Sequence, residues 1–122
     1  MKLRTSELSG AALDYAVALC EGFGPDTYMR NIDIRRNVEG KVSALLVPID
    51  RAYITWLPSQ HWAQGGPIME RENICIRGIQ GGFHAWYHQR PPKTHGPTML
   101  IAAMRCYVAS KLGEEVELPD GL

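Results

Sequence analysis

A chain of 122 residues, 45% of them hydrophobic, has material for one hydrophobic core and little for a second, so a single domain over residues 1–122 is expected. Thirteen Lys and Arg balance thirteen Asp and Glu, which argues against bulk attraction to nucleic acid or an anionic membrane and leaves room for a small basic pocket. No run reaches the roughly 20 apolar residues that cross a bilayer, and the polar start Met1–Thr5 does not read as a signal peptide.

Thr5 or Ser6 can cap a first helix that runs to about Cys20, with Glu7 at its positive end. Leu8, Ala12, Tyr15 and Leu19 form one apolar stripe, and Leu13, Ala16, Val17 and Cys20 line the next. The arc of Asp14, Ala18 and Glu21 is left as the solvated side. So broad an apolar surface suits a helix wedged between partners. Gly22 and Gly24-Pro25 stop it. From Asp26 to Gly40 the pattern is weak: Ile32 and Ile34 alternate with Asp33 and Arg35 as in an exposed strand, while Arg30, Arg35, Arg36 and Lys41 fit a solvated loop equally well. Lys41–Ile49 is strand-like, with Pro48 restricting it to an edge or an end. Tyr53–Leu57 is a second short strand, closed by Pro58-Ser59.

His61–Glu72 reads as a loop, a Gly65-Gly66 turn, and then a short helix or the start of a strand. Ile74-Cys75-Ile76 is strand-like. Phe83, Ala85 and Tyr87 alternate with His84, Trp86 and His88, which predicts an amphipathic strand with aromatics on both faces. Gln89–Pro97, with three prolines, is expected to be a rigid connection. The final helix opens at Gly96-Pro97-Thr98 and runs through Lys111, apolar on nearly every side except at Arg105, as a central packing element would be. Glu114–Pro119 reads as a short extended segment. The simplest arrangement is an α+β fold, with two terminal helices packed against a small, mainly antiparallel sheet.

The candidate chemistry is concentrated in two places. Pro97 suits a first helical position, so the N–H groups of Thr98, Met99 and Leu100, with Gly96 leaving the approach open, can hold a phosphate or carboxylate; an ordinary capped helix start is the plain alternative. Trp62 beside Gly65-Gly66 can supply a stacking face, with Gln64 reading polar edges, or these residues simply fill space beneath a turn. Arg105, set among apolar neighbours, needs an acceptor. Glu70 or Glu72 would make it a salt bridge to the central segment, and a bound anion would serve equally well. Trp56 and Trp86 read as core or half-buried sheet residues.

Other sites are poorly supported. His61, His84, His88 and His95 show no metal-ligand spacing; in a strand His84 and His88 stand about 13 Å apart. Cys20, Cys75 and Cys106 read as separate buried thiols of a reducing compartment. A Cys106–histidine nucleophile pair is opposed by the cysteine's place within a packed helix. No cofactor or metal is expected.

Trp62-Ala63-Gln64-Gly65-Gly66-Pro67-Ile68-Met69-Glu70-Arg71-Glu72 and Gly96-Pro97-Thr98 through Leu112-Gly113 resemble the small NinX-like proteins of tailed phages and prophages. Leu3–Ala18 resembles their N-terminus, with Tyr15 where a Trp often stands; residues 26–47 are the divergent part. The family's characteristic residues fall on Asp14, Trp62, Gly65, Gly66, Pro67, Glu70, Arg71, Gly96, Thr98, Arg105 and Tyr107. The resemblance implies a phage or prophage accessory protein of the bacterial cytoplasm and assigns no chemistry.

The leading expectation is a non-enzymatic protein binding a small anionic or nucleotide-like molecule, or a host protein. The candidate ligand residues are Trp62, Gln64, Gly65, Gly66, Glu70, Arg71, Gly96, Thr98 and Arg105. The alternatives are a small enzyme acting on a phosphorylated or nucleotide substrate, with Glu70 or His95 as acid or base, and a structural protein that self-associates through its apolar helices. A double-stranded DNA reader is least supported, because no basic recognition helix is present.

Overall fold

The computed structural model describes residues 1–25 and 27–122. The chain runs β1 (Lys2–Arg4), one 3-10 turn (Thr5–Glu7), α1 (Gly10–Cys20), β2 (Asp33–Arg36), β3 (Val42–Ile49), β4 (Ala52–Thr55), α2 (Trp62–Glu72), β5 (Ile74–Ile79), β6 (Gly82–Tyr87), β7 (Arg90–Gly96), α3 (Met99–Leu112) and β8 (Glu115–Glu117). The fold is α+β, as expected, but its parts differ. Among the described residues there are three helices and three antiparallel sheets, ordered β1-β8, β2-β3-β4 and β5-β6-β7, in place of two helices on one sheet.

α3 is the central element. It lies on the β5–β7 sheet and also touches α1, α2 and β8. Ala102, Ala103, Met104, Cys106 and Val108 are fully buried along it. A helix with neighbours all round has no need of a polar face, which explains its nearly continuous apolar sequence. α1 is similarly enclosed from Ala12 to Ala18.

Several local expectations change. Thr5 does not cap the first helix: its hydroxyl donates to the Gly113 carbonyl (2.6 Å) and its N–H to the Glu114 carbonyl (2.8 Å). The start of the chain is thus used to pair with its end in the β1–β8 ribbon, and α1 begins only after Ser9. Asp14 and Ala18, expected on the solvated side of α1, are buried. The loop after β4 covers that side: the Trp56 indole N–H donates to the Asp14 carbonyl (3.0 Å), and the Ser59 N–H donates to the Asp14 carboxylate (2.8 Å). Pro48 is tolerated in the middle strand of its sheet because β2 stops pairing at Leu46 and only β4 runs beside it there.

The proline-rich connection is in fact β7, whose pairing with β6 runs from Phe83↔Gly96 to Tyr87↔Arg90. The expected loop and turn at His61–Gly66 are the first turns of α2. Gly65 is needed there for close approach, not for a turn. A Cβ on it would run into the Pro58 carbonyl and stand 2.8 Å from Leu100 Cδ2. Cys106 is buried, Cys20 and Cys75 are half-buried, and all three thiols are free.

Candidate functional site

The beginnings of α2 and α3 lie side by side, so the two halves of the expected site do meet. Trp62, 51% exposed, faces Thr98 and Met99 across an open groove of about 490 Å³ that Ser59, Gln60 and Phe83 also line. Most of the polar groups expected to serve a ligand there are already engaged. Gln64 is a strut: its Oε1 accepts the Leu57 N–H (2.5 Å) and its Nε2 donates to the Thr55 carbonyl (2.7 Å). Thr98 is the N-cap of α3, its hydroxyl accepting the Ile101 N–H at 3.1 Å. Pro97 therefore precedes the cap and does not occupy the first helical position. Gly96 does not open the approach. It is buried against α3, where a Cβ would stand 2.5 Å from the Ala102 nitrogen. Gly66 lies on the Trp62 side of α2, with a Cβ there reaching 3.4 Å from the indole.

Arg105 lies outside this groove and does not meet Glu70 or Glu72. Its Nε donates to the Leu8 carbonyl (2.7 Å) and its terminal nitrogen to the His95 carbonyl (2.9 Å). The guanidinium ties the segment before α1 to the end of β7, and desolvation lowers its pKa. Its aliphatic stem crosses the apolar surface to reach those carbonyls. Glu70 is exposed on α2.

The arginine that does pin the central segment to the last helix is Arg71. It grips Glu21 with two nitrogens (2.7 and 3.1 Å) and donates to the Tyr107 hydroxyl (3.1 Å), while its Nε reaches Glu72 (3.3 Å). The Tyr107 hydroxyl donates to Glu21 at 2.6 Å, and the Tyr87 hydroxyl to Glu72 at 3.1 Å. Burial would raise the Glu21 carboxyl, but the bonds from Arg71 and Tyr107 outweigh it and hold it below its ordinary value. Burial, reinforced by Glu21, raises Tyr107; burial also pushes Tyr87 up to about 12. The network locks the ends of α1 and α2 to the middle of α3. Every acid and phenol in it already has a partner, as a structural joint requires.

A second concavity was not foreseen. β5–β7 rest on α3 through Ala85 and Tyr87, and among the described residues no helix or strand packs on the opposite face of the sheet. That face holds a shallow depression of about 620 Å³ bordered by Arg77, His84, Trp86, Arg90, Pro91 and Lys93. Its centre is aromatic and its flanks are cationic. Cross-strand pairing aligns Arg77 with His84 and His95, and Cys75 with Trp86 and Lys93. The His84 and His95 rings meet edge-on at 5.7 Å, and Arg90 is held 4.0 Å over the Tyr87 ring. Partial burial lowers the His84 pKa, and Lys93, His95 and Arg77 add to the effect, as a positive local potential would.

A sequence signal for this face existed in the charge distribution. Residues 73–113 contain five Lys or Arg and no Asp or Glu, although the whole chain is neutral. Averaging over the chain hides that segregation. His88, placed by the alternation on the same strand as His84, instead follows β6 in the turn to β7. Among the described residues no group of His, Cys, Asp and Glu could hold a metal ion, and no helix is long and apolar enough to cross a membrane. The Cys106 thiol is pushed up to about 11 by burial and lies 3.6 Å from the Pro92 carbonyl, the opposite of an activated nucleophile.

The model of a protein family described as bacteriophage P22 NinX matches residues 4–111 of the chain. No curated protein matches it.

Proposed function

The chain belongs to the bacteriophage NinX family, and from that premise we propose that it is a non-catalytic accessory protein that binds an anionic, nucleotide-like ligand. One observation carries this reading: Arg77 and Lys93 flank Trp86 and His84 on the open sheet face, with Arg90 at the rim over Tyr87, in a stretch of chain devoid of carboxylates. Cations supply attraction for phosphate, and the indole supplies a stacking surface for a base. A depression of this size is within the range of small-molecule sites. Glu21, Glu72 and Tyr107 are held in a joint and Asp14 in the core, so these four groups serve the fold.

The test is a titration of the isotopically labelled protein with thymidine monophosphate, with inorganic phosphate as control, followed by NMR. The expected result is a set of shifts at Arg77, His84, the Trp86 indole N–H and Lys93, diminished in Lys93→Glu. Shifts confined to Trp62 and Thr98 would move the site to the groove between α2 and α3. No shift with any mononucleotide or longer nucleotide chain would reject the reading.

A further inference from the structure

The cations of the open sheet face stand on both sides of its aromatic centre. Trp86 and His84 belong to the central strand β6; Arg77 pairs with His84 from β5, and Lys93 pairs with Trp86 from β7. Two strand spacings and two residues of rise separate the Arg77 and Lys93 Cα atoms by about 12 Å. A mononucleotide stacked on Trp86 carries phosphate on one side only and leaves the opposite flank without an anion. A nucleotide chain has a phosphate before and after each base and engages both flanks.

Resting on the ligand reading above, we propose that the natural ligand is a single-stranded nucleic acid laid across β5–β7, with a base on Trp86 and flanking phosphates at Arg77 and at Arg90 and Lys93. The depression is shallow and is continued along the face by His95, as a polymer site must be, whereas a free nucleotide is ordinarily enclosed. A single strand is favoured over a duplex because the faces of paired bases are hidden within the stack, where an indole on a sheet does not reach them. Neutrality of the whole chain is no obstacle. Residues 73–113 carry no Asp or Glu, and Glu114 and Glu115, beside Lys93, line a separate hollow.

The experiment uses the full chain and fluorescein-labelled ten-nucleotide oligothymidylate and oligouridylate, read by anisotropy. Competitors are thymidine monophosphate, inorganic polyphosphate and a hairpin duplex. With three phosphates neutralised, a salt exponent of about 0.7 per phosphate predicts a Kd about 20-fold weaker at 200 mM than at 50 mM salt. Trp86→Ala is expected to weaken binding roughly 5- to 150-fold, with Trp86→Phe recovering most of it. Arg77→Gln, at an exposed position that leaves the core untouched, is expected to weaken binding and lower the salt exponent by about 0.7.

Polyphosphate competing as well as the oligonucleotides, with Trp86→Ala and Arg77→Gln binding unchanged, would overturn the proposal. So would equal affinity for the duplex. Thymidine monophosphate binding as tightly as the decamers would overturn the strand and leave the nucleotide-like ligand standing. Absence of binding by either decamer and by the mononucleotide would remove both.

Discussion

Asp14 offers the sharpest test of the packing between α1 and the loop after β4. Its carboxyl is buried, with Oδ1 accepting the Ser59 N–H and Oδ2 without a hydrogen-bond partner among the described residues. Desolvation outweighs the Ser59 bonds and raises its pKa from the ordinary 3.8 to about 6. The neutral form is therefore favoured by folding. Its stabilising contribution is complete below pH 3.8 and is lost as the pH climbs through about 6. At 1.36 kcal/mol per pH unit, the loss is about 3 kcal/mol, a sizeable fraction of the stability of a small domain. Asp14→Asn keeps an acceptor for Ser59 and cannot ionise. Urea unfolding of both proteins from pH 3 to pH 7.5 should show Asp14→Asn gaining about 3 kcal/mol relative to wild type as pH rises, with the change centred near pH 5. Taking the difference between the two proteins cancels the opposite contribution of Glu21 and all other carboxyls. Parallel pH profiles, or a carboxyl resonance of Asp14 titrating near 4, would refute the argument.

Other consequences follow from close contacts. Gly65→Ala should cost about 1–3 kcal/mol in thermal or urea unfolding, because the new Cβ meets the Pro58 carbonyl, which belongs to the backbone and has little freedom to move. Gly66→Ala, one residue along with only the Trp62 ring nearby, should be neutral or stabilising by up to about 1 kcal/mol from helix propensity. Equal effects at the two positions would contradict the packing of α2. Tyr107→Phe should destabilise by about 1 kcal/mol and raise the Glu21 pKa, measured by carboxyl NMR. Combined with Arg71→Gln it should be less than additive, by no more than about 1 kcal/mol because Arg71 is half exposed.

The sequence revealed more about helices than about what lies beside them. The extent of α3 and its central position were legible because an apolar run without a polar face needs neighbours on every side. β6 was legible from strict alternation. The burial of Asp14 was not, because a lone carboxylate on a helix is ordinarily solvated and only the Trp56–Ser59 loop, distant in sequence, covers it. β7 was obscured by its prolines, which lack the N–H that a strand ladder uses and are tolerated at an edge, and it was identified only through its pairing with β6. That Arg105 needs acceptors was legible from its apolar neighbours, yet a sequence does not distinguish a carboxylate partner from the backbone carbonyls of Leu8 and His95. Trp62 and Thr98, from the two candidate places, line one groove, while Gln64, Gly65 and Gly96 are committed to internal contacts.

By itself, the sequence determined the α+β class and marked the Gly65-Gly66 pair, Gly96 and Arg105, while its resemblance to the phage family marked Asp14 as well. Local periodicity and residue chemistry suffice for the class and the first of those marks, since each depends on neighbours a few positions away. Only the tertiary structure decided what those residues do, and that Arg77, Trp86 and Lys93 share one uncovered face. Hydrogen-bond partners and surface potential depend on which strands are paired and which sheet face a helix covers. Those are contacts between segments remote in the chain, selected by burying the most apolar surface around α3.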